Sequence, residues 1–315
     1  MRTSMQYPYK RIAIKVGSNV LARKDGTLDV TRMSALVDQI AELHKAGVEV
    51  ILISSGAVAS GRSEIKPSKK LDSVDQRQLF SAVGQAKLIN RYFELFRDHG
   101  ISVGQVLTMK ENFSTRRLYL NQRNCMMVML ENGVIPIVNE NDTVSVTELM
   151  FTDNDELSGM IASMMDMQAL FILSNIDGIY NGSPTAAGSQ VIREVEPGKD
   201  LSDYIQTEKS GFGRGGMLTK TTIARKVADE GIAVYIANGK KDNILIDLMQ
   251  HPDTTVCTRF VPAKEDVSSV KKWIAHSDGF AKGRLLLNEQ AVKVLKGRKA
   301  VSLLPVGVTS IEGEF

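Results

Sequence analysis

From Arg11 to about Tyr235 the chain alternates short aliphatic, β-branched runs with stretches of helical period, and no other feature constrains its fold as tightly. Arg11-Ile12-Ala13-Ile14-Lys15-Val16 predicts a first strand. Met33, Leu36, Val37, Ile40 and Leu43 then recur at helical spacing until Gly47, and Val48 to Ser54 predicts a second strand. The strand pattern returns at Ile101 to Leu107, Val134 to Val138, Leu170 to Leu173 and Ile232 to Ala237, with helices expected over Gln78 to Arg97 and Asp155 to Met165. Strands so continuously apolar are expected to be buried on both faces, which calls for helices on each side of a mostly parallel sheet. Met164, Met165 and Met167 read as core filler. Asp177 to Gly213, rich in turn formers and charge, reads as an excursion from the sheet. After Trp273 the character changes: His276-Ser277-Asp278-Gly279 reads as a linker, dividing residues 1–276 from a short apolar and basic segment, 277–315, too small to hold a core alone.

Composition narrows the function. The N-terminus MRTSMQYPYK lacks the apolar region of a signal peptide and no apolar run is long enough to cross a bilayer, so a cytoplasmic location is expected by default. Two cysteines far apart, Cys125 and Cys257, and four scattered histidines suggest neither a disulfide framework nor a Cys/His metal site; both thiols are expected to be buried and structural. A net charge of +3 spread over 315 residues gives nucleic-acid binding no electrostatic support.

The chemistry lies at the expected C-terminal ends of strands, where open α/β sheets bind ligands. Lys15-Val16-Gly17-Ser18-Asn19 puts a lysine at the end of the first strand with a turn of small residues after it, and Ser54-Ser55-Gly56-Ala57 ends the second in the same way. Asn139-Glu140-Asn141-Asp142 follows an apolar strand, and Asp153-Asn154-Asp155 stands at a helix start. Ser210-Gly211-Phe212-Gly213-Arg214-Gly215-Gly216-Met217-Leu218-Thr219-Lys220 runs glycines into a lysine on a helix start, which suits phosphate; it is not a Walker A loop, since Met217 stands where the lysine belongs. Each segment alone admits a plainer reading: a tight turn, an Asp N-cap, a surface loop. Together they offer carboxylates to hold the two lysines and amides to bind a zwitterion.

In combination these segments, with Gly61-Arg62 and Ala82-Val83-Gly84-Gln85, resemble the amino acid kinase family from about Lys10 to Trp273. The resemblance implies a three-layer α/β/α sandwich around a mainly parallel eight-stranded sheet, of the kind shared with carbamate kinase. It implies ATP-dependent phosphorylation of the γ-carboxylate of L-glutamate to L-glutamyl 5-phosphate, the step that opens proline synthesis, with Mg²⁺ accompanying ATP, homo-oligomers (dimers or tetramers) and feedback inhibition by proline. By the same likeness Lys15 and Lys220 bridge the transferred phosphoryl group and Asp155 organises both. Ser55, Asn139, Asp142 and Asn154 hold glutamate, with Asp153 nearby. Lys15, Gly17, Ser18, Ser174, Asn175, Arg214, Gly215, Gly216, Met217, Leu218, Thr219 and Lys220 line the ATP site. The chain departs from relatives at Ser174-Asn175, where Thr-Asp is common, which removes a negative charge from the nucleotide side. Its tail from Asp278 resembles the opening of a PUA module, an RNA-binding type of domain, of which most is missing. A sibling kinase acting on another carboxylate, or a weakly catalytic sensor of proline or nucleotide, stay open as alternatives.

Overall fold

The computed structural model describes residues 7–145, 151, 153–186, 188–199, 201, 216–264, 267–276, 283–297 and 301–313. These fall into two compact units, one running to Trp273 and the other from Ile274.

The first unit begins with β1 (Arg11–Val16), the short helix α1 (Ser18–Leu21), α2 (Val30–Lys45) and β2 (Glu49–Ser54). Asp29 caps α2 by accepting from the Arg32 N–H, and Gly47, at φ 88°, takes the left-handed conformation that turns the chain back into the sheet. Next come α3 (Ala57–Glu64), α4 (Ser73–Asp98), β3 (Val103–Thr108), α5 (Arg116–Glu131), β4 (Ile135–Glu140), α6 (Asn154–Met164) and β5 (Ala169–Ser174). The unit continues through β6 (Glu194–Val195), α7 (Met217–Asp229), β7 (Ala233–Asn238), α8 (Ile244–Gln250) and β8 (Thr258–Phe260) into α9 (Ser269–Ala275), whose last two residues fall past the boundary at Trp273.

Eight strands form one sheet in the order β3-β4-β2-β1-β5-β7-β8-β6, every pair parallel except β7 with β8. Strands β4 and β5 are buried throughout, and β1 and β2 in all but their first residue, as their apolar runs predict. Met164, Met165 and Met167 are buried core residues.

Three expectations need correction. The β3 strand lies at the edge of the sheet and is not buried on both faces: Leu107 is 39% exposed. The stretch from Asp177 does not simply leave the sheet, because Glu194 and Val195 return as β6 and pair with Arg259 and Phe260; residues 202–213 lie outside the described residues. Cys257 is buried, but Cys125 on the outer face of α5 is exposed.

The second unit contains β9 (Gly283–Leu287), α10 (Glu289–Leu295) and β10 (Val308–Gly313), with β9 and β10 antiparallel. Leu285 and Leu286 are about as exposed as polar surface residues, at 41% and 40%. Of the linker residues, Ser277, Asp278 and Gly279 lie outside the described residues.

Candidate active site

Because the strands around β1 are parallel, their C-terminal ends bring Lys15, Ser55, Asn139 and Ser174 to one edge of the sheet. The chain order reverses beside β1, with β2 on one side and β5 on the other, and such a switch point leaves a crevice. The Gly17 N–H donates to Leu173 O at 3.0 Å and ties the two sides together just beyond Lys15.

At that crevice Asp155, on the first turn of α6, meets two lysines. Lys15 Nζ lies 2.6 Å from its Oδ1 and Lys220 Nζ 2.8 Å from its Oδ2, with the Asp155 side chain 1% exposed. Burial pushes the Asp155 carboxyl up, but the charges of Lys15 and Lys220 outweigh it and hold the group well below the usual carboxylate range. Asp155 is therefore an anion that fixes two cations, and the trio keeps one net positive charge.

Asp153 is the N-cap of α6, accepting from the Asp155 and Glu156 N–H groups at 2.9 and 3.0 Å through Oδ1. The capping reading of this residue is realised, but capping uses only one oxygen. Oδ2 is buried without a hydrogen-bond partner among the described residues. Burial and the neighbouring Asp155 charge raise Asp153 to about 6. A carboxyl that binds its proton more tightly when folded lowers stability as pH rises through its folded value, and the cost persists above it. Asp153→Asn keeps the cap and removes the charge. It is expected to raise Tm by a few degrees at pH above about 6 and to lose that gain progressively as pH falls from about 6 toward about 4, as thermal unfolding across that range would measure.

The residues expected to hold substrate form two groups. Asn154 Nδ2 donates to Ser55 Oγ at 2.9 Å and to Asn139 Oδ1 at 3.0 Å, and Asn139 Nδ2 donates to Gln85 Oε1 at 2.8 Å. Asp142 stands apart from these in an ion-paired cluster with Arg77 and Glu140. Gln85 joins the groups: it lines, with Ser81, Glu140, Asn141 and Asp142, a cleft of about 230 Å³. Ser81 is 2% exposed and its hydroxyl has no hydrogen-bond partner among the described residues.

On the nucleotide side, Gly17 caps α1 and Ser18 begins it. The Ser174 hydroxyl closes a turn with the Ile176 N–H at 3.2 Å, and Asn175 is exposed. Gly216 is the N-cap of α7, so Met217, Leu218 and Thr219 form its first turn, whose N–H groups have no partner within the helix. Arg214 and Gly215, with the rest of the loop from Ser210, lie outside the described residues.

Two lysines are locked on a buried aspartate at the switch point of an α/β/α sheet, and the chain belongs to the amino acid kinase family, whose model matches residues 10–238. It is 80% identical over 311 residues to the glutamate 5-kinase of Bacteroides thetaiotaomicron, spanning 99% of this chain and 86% of that protein. The glutamate 5-kinase of Chlorobaculum tepidum is 47% identical over 315 residues, again 99% of this chain and 86% of that one. The fold also matches solved structures of distant sequence. An isopentenyl phosphate kinase in complex with its substrate gives a TM-score of 0.57 at 14% identity over 80% of this chain and 100% of its own. The UMP kinase of Bacillus anthracis gives 0.55 at 16% identity over 81% and 96%.

Sequence reasoning missed Arg77. It also quoted Gln85 without giving it a role. Both sit on α4, and both turn toward residues at the C-terminal end of β4.

Proposed function

We propose that this chain transfers the γ-phosphoryl group of ATP to the γ-carboxylate of L-glutamate, giving L-glutamyl 5-phosphate and ADP, the first step of proline biosynthesis. The observation that carries the reading is the Lys15–Asp155–Lys220 trio, with contacts of 2.6 and 2.8 Å at the edge of the sheet. A carboxylate with an ordinary pKa of about 4.3 is already ionised at neutral pH, so the nucleophile needs no general base. What the protein must supply is alignment and positive charge. Lys15 and Lys220 neutralise the oxygens of the group in flight, while Asp155 keeps both ammonium groups from swinging onto the substrate's carboxylates. First-turn N–H groups of α7 hold phosphate oxygens. Ser55, Asn139, Asn154 and Asp142 take the amino acid end, Asp142 meeting the α-ammonium.

Mg²⁺ enters as the partner of ATP. No cluster of three or more His, Cys, Asp or Glu side chains is placed to hold a metal among the described residues, which suits an ion carried by the nucleotide's phosphates. Asp153, whose Oδ2 is buried without a hydrogen-bond partner among the described residues, would help to hold the ion, which would add charge neutralisation to that of the lysines. Proline, sharing the α-carboxylate of glutamate, acts in this reading as a competing inhibitor. The enzyme works as a homo-oligomer in the cytoplasm; among the described residues no helix is long and apolar enough to cross a membrane. Residues 277–315 stand as the opening of a PUA-like module outside the catalytic unit.

The test is ADP formation with ATP and Mg²⁺ in the presence of L-glutamate, N-acetylglutamate or aspartate, with and without millimolar proline. Turnover that depends on glutamate and falls with proline is expected; turnover stimulated best by another carboxylate would reassign the substrate. In the same assay Asp142→Ala and Asn154→Ala are expected to raise the glutamate KM by about tenfold or more with the ATP KM unchanged. A shift in the ATP KM alone would remove both residues from the substrate end.

A further inference from the structure

Arg77 projects from α4 into the space behind two acidic walls of the cleft. Its Nη2 donates to Glu140 Oε2 at 2.8 Å and its Nε donates to Asp142 Oδ1 at 2.7 Å. All three side chains are largely buried, at 12%, 5% and 13% exposure. Glu140 and Asp142 line the cleft, whereas Arg77 is not among its lining residues. Glu140 is held from a second side, since its Oε1 accepts the Phe151 N–H at 3.0 Å, two residues before the Asp153 cap. Phe151 is itself fully buried against Phe113, with ring centroids 5.9 Å apart.

One guanidinium against two carboxylates leaves a single negative charge in this triad. A single negative charge facing a cleft of amino-acid size suits one ammonium group. Without the arginine, Asp142 would lose the donor that holds its Oδ1, and the repulsion between it and Glu140 would no longer be offset by the guanidinium lying between them. The forked geometry matters as well as the charge, because a bidentate guanidinium fixes where Asp142 presents its free oxygen.

We propose that Arg77 is a positioning residue that sets the cleft's preference for substrates carrying a free α-ammonium, by orienting Asp142 and cancelling one of the two carboxylate charges beside it. This rests on the reading of the cleft as the glutamate site and deepens it. Arg77 touches no substrate in this account; it acts through Asp142.

The experiment compares the KM for L-glutamate with the inhibition constant of glutarate, which has the two carboxylates and no ammonium. Wild type, Arg77→Gln, Arg77→Lys and Arg77→Gln/Glu140→Gln are measured, each with its Tm. Arg77→Gln is expected to raise the glutamate KM by about tenfold while the glutarate constant moves by less than about threefold and the ATP KM holds. Arg77→Lys, keeping the charge without the fork, is expected to recover part of the loss. The double variant removes the surplus carboxylate together with the cation and is expected to discriminate better than Arg77→Gln alone.

Equal losses for glutamate and glutarate would make Arg77 a merely structural tie, and an unchanged glutamate KM would overturn the inference outright. If Arg77→Gln does not fold, Arg77→Lys carries the same comparison. A wild-type enzyme inert toward glutamate would overturn the functional reading and this inference with it. An active wild type with an indifferent Arg77→Gln would overturn this inference alone.

Discussion

Lys220→Ala and Lys15→Ala are each expected to lower kcat by about 10²-fold or more while leaving ATP affinity within a few-fold of wild type. The reason is electrostatic and specific to the trio. With both lysines in place, Asp155 balances one of two positive charges, and the surplus is available to the phosphoryl group. Remove either lysine and the remaining pair is neutral, so nothing in the trio answers the charge that develops in transfer. The side chains of Lys15, Lys220 and Asp155 are 6%, 13% and 1% exposed, and water cannot substitute at such depth as it would on a surface. In the proposed reading ATP is held by other groups as well, the first turn of α7 among them, and its affinity is therefore expected to suffer less. Steady-state kinetics with saturating glutamate would check this, and near-normal turnover in either variant would take that lysine out of the chemistry. Losing one lysine also removes one of the two ion pairs that satisfy the buried Asp155 carboxylate, so both variants should melt earlier than wild type.

The parts of the lysine trio stand at local landmarks, and the resemblance to the amino acid kinase family is what singled out Asp155 as the partner of both lysines. A lysine at the end of a continuous apolar strand must emerge at the ligand edge, and an aspartate at the start of a helix must sit near the edge where that helix begins. The central strands were legible for the same reason: β1, β2, β4 and β5 are apolar because both faces are covered. The β3 strand breaks the inference, since Val103 to Thr108 lies at the sheet edge with Gln105 and Leu107 exposed on one face. Two-residue β6 carries no period at all and is defined only by its partner β8. Cys125 was misread because a thiol in a helix of mixed polarity gives no sign of which face it takes.

Arg77 was hidden for a different reason. It sits between two glutamines near the start of α4, where a charged residue reads as solvated surface. Its partners lie 63 and 65 residues away, and only the parallel sheet brings them together. Asp142, by contrast, was found from the motif that follows β4, but with no cation to set its charge. The sequence therefore showed the groups that face ligands more readily than the groups that stand behind them.

Gly84→Ala is expected to be among the most destabilising single substitutions in the molecule, and it joins this hidden layer to the site. A Cβ on Gly84 of α4 would lie 1.7 Å from Ala57 O and 2.4 Å from Gly61 N; one on Gly61 of α3 would lie 1.9 Å from Phe80 O. The two helices cross backbone to backbone at these glycines. No side chain can swing aside to make room, so the helices must separate. Overpacking of a core typically costs about 1–3 kcal/mol, and a collision with main chain should exceed that, at about 4 kcal/mol or a fall in Tm on the order of 10 °C. Gly47→Ala is the control: nothing lies within 4 Å of its Cβ position, and only its φ of 88° is strained, so it should cost about 1–2 kcal/mol. Separation of α3 from α4 also has a functional reading. Ser55 lies just before α3, while Gln85 and Arg77 ride on α4, so the same shift stretches the amide chain from Ser55 through Asn154 and Asn139 to Gln85. At a temperature where Gly84→Ala is still folded, its glutamate KM should therefore rise more than its ATP KM. A variant that melted early but bound glutamate normally would show that the crossing supports the fold and leaves the site untouched.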